Sequence, residues 1–128
     1  MEKLSKEYTY KILQCAYNVH SELGPGLLES IYEEALTHEL QSSGFEVKRQ
    51  LPVKVRYKEK LLPIEFRIDF MVDDCVILEL KSVSELLPIH KKQLMTYLRL
   101  TNKQLGYVIN FNEVSLRDGI ERIIIGTK

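Results

Sequence analysis

Arg67-Ile68-Asp69-Phe70-Met71-Val72-Asp73-Asp74-Cys75-Val76-Ile77-Leu78-Glu79-Leu80-Lys81 reads as two strands and a turn. Its register decides what the chain can do. Ile68, Phe70 and Val72 share one face of the first strand; Val76, Leu78 and Leu80 share one face of the second. For both sets to enter one core, position 72 must lie opposite 76 and position 68 opposite 80. That needs an odd loop, the three residues Asp73 to Cys75; a two-residue turn would send one set to the wrong face. Asp69 then stands opposite Glu79, and Lys81 projects from the same face, away from the aliphatic residues. Like charges directly opposite one another destabilise a sheet. A divalent cation between them is the simplest remedy, since magnesium takes oxygen ligands and uses one or two carboxylates beside a phosphate. Lys81 could activate water or neutralise charge building on a phosphate. The same residues also read as a solvated, salt-bridged strand face, because charged sheet faces are common.

Outward from this hairpin, the spacing predicts a helix over 5–23, with Ile12, Leu13, Ala16, Val19, His20 and Leu23 on one face. Gly24-Pro25-Gly26 stops it. A second helix over 27–42 carries the stripe Leu28, Ile31, Tyr32, Ala35, Leu36 and Leu40, with Gly44 as its cap. The period then changes to two. Strands are expected over 47–57, with a break at Pro52, over 63–72 and over 76–83, with a turn at Glu59-Lys60. Leu94, Tyr97 and Leu98 suit a helix over 89–101. The near-continuous apolar run 105–111 predicts a strand buried on both faces, and 120–125 a short last strand.

A chain of 128 residues fits one domain, 1–128. Hydrophobic residues at 45% and charged residues at 28% exclude a disordered or low-complexity chain. The formal charge is zero, which argues against general coating of DNA or membrane, though not against a local basic patch. Cys15 and Cys75 match no zinc spacing and no CxxC motif; they read as reduced core thiols in the cytoplasm. No signal-peptide core and no membrane-spanning run is present, so no membrane partner is expected.

Asp69 followed by Glu79-Leu80-Lys81 on the next strand resembles the PD-(D/E)XK nuclease superfamily. Gln93-Leu94-Met95-Thr96-Tyr97 resembles the Gln-x-x-x-Tyr motif of its RecB-like branch. Gly26-Leu27-Leu28-Glu29-Ser30-Ile31-Tyr32 spells Gly-x-x-Glu-x-x-Tyr. With Val19-His20, Leu23-Gly24-Pro25-Gly26 and Leu105-Gly106…Asn110-Phe111-Asn112, it resembles the GxxExxY proteins over about residues 20–124. Each motif alone is weak; their order and spacing together are specific. The resemblance implies an α/β, restriction-endonuclease-like core of order α-β-β-β-α-β, with an extra N-terminal helix and a short C-terminal strand.

It also implies roles. Asp69 and Glu79 would ligate Mg2+ or Mn2+, with the Leu80 carbonyl as a further ligand. Glu29 would bind metal directly or through water. Lys81 would orient or deprotonate the attacking water. Gln93 and Tyr97 would steady the site and the nucleic-acid backbone. The implied activity is metal-dependent hydrolysis of a nucleic-acid backbone, with DNA expected. The other outcome is a module that keeps the fold, is catalytically silent, and binds nucleic acid or a protein partner. A core this small often needs a homodimer or a partner to form a specificity clamp.

The residues themselves leave plainer readings open. Glu29 sits at the edge of its stripe and also suits a helix N-terminus. Tyr97 could pack on the sheet with its hydroxyl satisfied by Gln93. His20 reads as a satisfied core histidine, and His38 and His90 as surface. Lys48, Arg49, Lys54, Arg56, Lys58 and Lys60 cluster against only Glu46 and Glu59, and Lys91, Lys92, Arg99 and Lys103 form a second group. Such runs are usually solvated faces; beside a cleft they would contact phosphates. Tyr57 could stack on bases, whereas Tyr107 reads as core.

Overall fold

Asp73 and Asp74 take φ of +52° and +54°, a region that Asp tolerates because its short side chain bonds locally. The Cys75 N–H returns to the Val72 carbonyl at 2.9 Å. This three-residue loop joins β2 (Lys60–Val72) to β3 (Val76–Lys81). They pair antiparallel with Val72 opposite Val76 and Phe70 opposite Leu78, the register the aliphatic pattern demands. The coordinates are a computed structural model describing residues 4–126.

One five-stranded sheet has the order β1-β2-β3-β4-β5, with β1 Val47–Tyr57, β4 Leu105–Asn110 and β5 Ile120–Ile124. β3 and β4 run parallel, and the other neighbours antiparallel. The parallel pair requires a crossover, which α3 (Pro88–Thr101) provides. Pro88 occupies its first turn, where a missing N–H is harmless. α1 (Lys6–Leu23) and α2 (Glu29–Ser42) cover the other face. Ser5 caps α1 by accepting from the Tyr8 N–H.

Two clusters bury the sheet. Ile12, Tyr32, Leu36, Phe70, Leu78 and Tyr107 pack under α1 and α2; Met71, Ile77, Leu94, Leu98 and Val108 pack under α3. β4 is buried on both sides. Gly106 permits the close approach of α3, because a Cβ there would meet the Ile77 carbonyl and Leu94 at 2.9 Å. The expected order α-β-β-β-α-β, with an N-terminal helix before it and a strand after it, is the observed one.

Several expectations are corrected. The β2–β3 ladder stops at Phe70 and Leu78, so Asp69 and Glu79 are not a ladder pair. Ile68 does not join Phe70 and Val72; it lies in the cluster under α3. The change of side falls at Asp69, across from Gln50, whose φ is +49°. Pro52 does not break β1, since it pairs with Arg67 on an edge strand, where a missing N–H costs no second partner. The hairpin turn is Lys58-Glu59, with Lys58 at φ +57°. β3 ends at Lys81, short of position 83. α2 starts at Glu29, so Leu28 only caps it; Leu28 and Ile31 are exposed, and burial is carried by Tyr32, Leu36 and Leu40.

Candidate functional site

Beyond Phe70 and Leu78 the two strands part, and the carboxylates take over the backbone hydrogen bonds the ladder would have made. Asp69 donates its N–H to Glu79 Oε2 at 2.9 Å. Leu80 donates its N–H to Asp69 Oδ2 at 2.8 Å. Gln50 Nε2 reaches Asp69 Oδ1 at 3.4 Å and Glu33 Oε1 at 2.8 Å, tying α2 to the cleft. Within a strand a residue's N–H and C=O point the same way. The Leu80 carbonyl therefore faces the split, while the Lys81 carbonyl accepts from Phe111 on the β4 side.

Glu79 is only 5% exposed. Burial, and then the charge of Asp69, push its carboxyl up to about 8; the Asp69 N–H and Lys81 oppose this. Burial also raises Asp69, against the Leu80 N–H, Lys81 and Gln50. Glu29 stands at the rim of the same group. It keeps surface in solvent, yet desolvation of its inward side raises its carboxyl, with Lys81 opposing and Asp69 adding. Tyr97 is raised by burial and then by Glu79 and Asp69. Its ring stacks on Phe66 at 4.3 Å.

Glu29, Asp69, Glu79, Lys81 and Tyr97 thus share one electrostatic neighbourhood. Gln93 is exposed on α3, and its side chain makes no hydrogen bond to another described residue. The side chain of Leu80 is buried in the core. Sequence reading missed Gln50 and Glu33; a lone polar residue at a left-handed turn leaves no periodic trace. It also missed how Glu29 is placed. Tyr32 donates its hydroxyl to the Gly24 carbonyl at 2.6 Å and accepts the Leu27 N–H at 3.1 Å. Its ring stacks on Phe111 at 4.6 Å. Ser82 Oγ donates to the Leu27 carbonyl at 2.6 Å, fastening the α1–α2 turn to the end of β3 beside Lys81. Tyr32→Phe should lower stability by about 2 kcal/mol, read from denaturant melts; an unchanged midpoint would show that the staple carries no load.

The histidines lie apart from this cleft. His20 Nε2 bonds the Glu113 carbonyl at 2.7 Å. His90 is half-buried, not free on the surface, and accepts the Leu87 N–H. The basic groups are partly spent on acids: Arg49 pairs with Glu34 and Glu33, Lys54 with Glu65, Lys91 with Glu121 and Lys103 with Asp74.

The donors facing the cleft are all oxygens, the kind magnesium and manganese prefer. Their number is small. Among the described residues, no group of three or more His, Cys, Asp and Glu is placed to hold a metal ion. Three of the four carboxylate oxygens of Asp69 and Glu79 already accept a hydrogen bond from the chain.

An open mixed sheet flanked by helices, with an acid on one strand and Glu-x-Lys on the next, defines a nuclease-fold protein. Residues 6–123 match the PD-(D/E)XK nuclease superfamily, and the chain belongs to that superfamily. No curated protein and no solved structure matches it. No helix among the described residues is long and apolar enough to cross a membrane.

Proposed function

We propose that the chain is a nuclease-fold binding module whose Asp69–Glu79–Lys81 cleft engages nucleic acid, DNA foremost, without cutting it. The observation that carries this reading is the use of the two carboxylates. They bridge the parted strands, with no third acid or histidine completing a metal-holding group among the described residues. A neutral Glu79 near pH 7 leaves the cleft less repulsive to phosphate and leaves Lys81 to face it. The short motifs further support a place near the GxxExxY proteins and the Gln-x-x-x-Tyr branch.

The test is fluorescence anisotropy with labelled duplex DNA, single-stranded DNA and RNA, in chelator and then with Mg2+ or Mn2+, with products run on gels. Binding in chelator that weakens with salt, without cleavage, is the expected result. Lys81→Ala should weaken it roughly tenfold, the scale of one charge-assisted contact. Absence of binding to every nucleic acid would turn the module reading toward a protein partner.

A second reading, metal-dependent phosphodiester hydrolysis, is favoured by one observation: the carboxylates of Glu29, Asp69 and Glu79, despite their like charge, share one neighbourhood with Lys81. Magnesium needs only one or two protein carboxylates when a phosphate supplies further oxygens. Asp69, Glu79 and the Leu80 carbonyl would hold it, with Glu29 at the rim, and the ion would lower the pKa of a bound water. Lys81 would orient that water and Gln93 with Tyr97 would steady the strand. Metal-dependent cleavage abolished by Lys81→Ala would establish this reading over the first.

A further inference from the structure

The β1–β2 hairpin outruns the core. Val53 and Phe66 are paired and are the last residues toward the tip to pack under α3. From 54 to 65 every residue is exposed or half-buried. A lone two-stranded ribbon is marginal in water and cannot bury apolar side chains by itself. This one shows them: Tyr57 is 62% exposed, Leu61 51% and Ile64 73%.

The ribbon is also net positive, in a chain whose formal charge is zero. Residues 54–65 carry Lys54, Arg56, Lys58 and Lys60 against Glu59 and Glu65. Lys54 is paired with Glu65. Arg56, Lys58 and Lys60 form no ion pair with a carboxylate among the described residues; Arg56 instead holds the Glu59 carbonyl. Tyr57 and Lys60 are cross-strand partners, and Lys58 Nζ lies 5.5 Å from the centre of the Tyr57 ring. An exposed aromatic ring thus lies within cation–π reach of Lys58 and opposite Lys60, and Leu61 and Ile64 are exposed on the same ribbon.

We propose that this ribbon docks in the major groove of duplex DNA, a deepening that rests on the nucleic-acid reading above. Charge complementarity chooses the partner. Three free cations at one tip fit a polyanion, and the apolar side chains between them fit thymine methyls and base edges. Shape chooses the form of the polyanion. The major groove of B-DNA admits a two-stranded ribbon, whereas the major groove of A-form RNA is too deep and narrow for side chains to read. Reach is consistent with one continuous ligand. At about 3.3 Å per residue, Leu61 and Asp69 on the same strand lie roughly 25 Å apart, within the ~34 Å of one helical turn. Arg56, Lys58 and Lys60 would contact phosphates, and Tyr57 would contact the groove wall.

The test compares the full chain with the triple variant Arg56→Ala/Lys58→Ala/Lys60→Ala. A control variant removes three exposed cations elsewhere, Lys11→Ala/Arg117→Ala/Arg122→Ala. Anisotropy is read on duplex DNA and duplex RNA of about one and a half turns, over a salt series. The ribbon variant should lose at least about tenfold in affinity for duplex DNA and flatten the log–log salt slope by about 2 to 3, at roughly 0.9 per phosphate contact. The control should change far less, and duplex RNA should bind more weakly than DNA. Melting temperatures check that both variants fold, since the substituted side chains lie outside the core.

Equal loss in the control variant would reduce the effect to bulk charge and overturn the proposal. RNA bound as tightly as DNA, with the same ribbon dependence, would overturn groove docking. A wild-type dimer that the ribbon variant turns into monomer would reassign the apolar tip to self-association. If the ribbon variant binds DNA as the wild type does while Lys81→Ala fails to bind, the ribbon proposal falls and the cleft reading stands. No nucleic-acid binding by the wild type removes both.

Discussion

Glu79→Gln is expected to stabilise the metal-free protein at about pH 8.5 by on the order of 4 kcal/mol, and to match wild type near pH 5. The cause is the position of Glu79. Its carboxyl is buried, faces Asp69, and titrates only at about 8 in the folded chain. In the unfolded chain it titrates near 4.5. Between those values the folded state binds more protons than the unfolded state, so stability falls as pH rises. It is full below about 4.5 and lost through about 8. The raised Asp69 acts in the same direction. Gln stays neutral at every pH and can still accept the Asp69 N–H. Thermal melts in chelator from pH 5 to 9 check this: the wild type should decline, and Glu79→Gln should hold nearly level. A variant less stable than wild type at high pH would mean that Lys81 and the backbone donors already compensate an ionised Glu79. The same melts with magnesium separate the two functional readings. A metal that restored wild-type stability at high pH and left Glu79→Gln unmoved would favour the hydrolytic one.

This titration was half legible in the sequence. Alternation of Phe70, Val72, Val76 and Leu78, with Asp73 to Cys75 between them, dictates the register, because only an odd loop keeps both pairs in one core. It also brings Asp69 and Glu79 to the same place. What alternation does not encode is that the strands part there. The parting depends on Gln50 at φ +49° and on Ile68 turning toward α3, both products of tertiary packing. Helix stripes have the same limit. Leu28 and Ile31 lie within the expected apolar arc, yet only the Tyr32–Leu36–Leu40 side is covered. Periodicity locates a face; the neighbour decides how much of it is used. Spacing placed Glu29 at an edge, but the staple from Tyr32 to Gly24 and Leu27 that fixes it there follows from hydroxyl geometry alone. Cation runs told least. Arg49, Lys91 and Lys103 find acids from distant segments and Lys54 one across its own hairpin, so which cations of the runs stay unspent, those of the ribbon tip among them, emerges only in the folded chain.

Asn110→Leu is expected to cost about 3 kcal/mol and to weaken nucleic-acid binding as well. Asn110 ends β4 beside Lys81, its strand partner, and is fully buried. Its Oδ1 accepts the Val83 N–H at 3.1 Å and the Asn112 N–H at 3.3 Å, and its Nδ2 donates to the Val83 carbonyl at 3.0 Å. The segment leaving Lys81 has no strand partner of its own, so this amide closes its backbone. Leu has the same branched skeleton with bulkier methyl ends, so the substitution opens no cavity; its cost is the desolvation of donors left without acceptors, with some crowding added. The Val83 carbonyl keeps one donor, Asn112 Nδ2, which limits the loss to the two N–H groups. Denaturant melts measure the stability term. The functional term follows because Ser82, which fastens the α1–α2 turn through Leu27, lies between Lys81 and Val83. Loosening this corner releases Lys81 and Glu29 together. A stable variant that binds DNA normally would show that water satisfies these donors and that Lys81 is positioned by the sheet alone. A destabilised variant whose folded fraction binds normally would separate the two roles, leaving Asn110 a lock for the fold but not for the cleft.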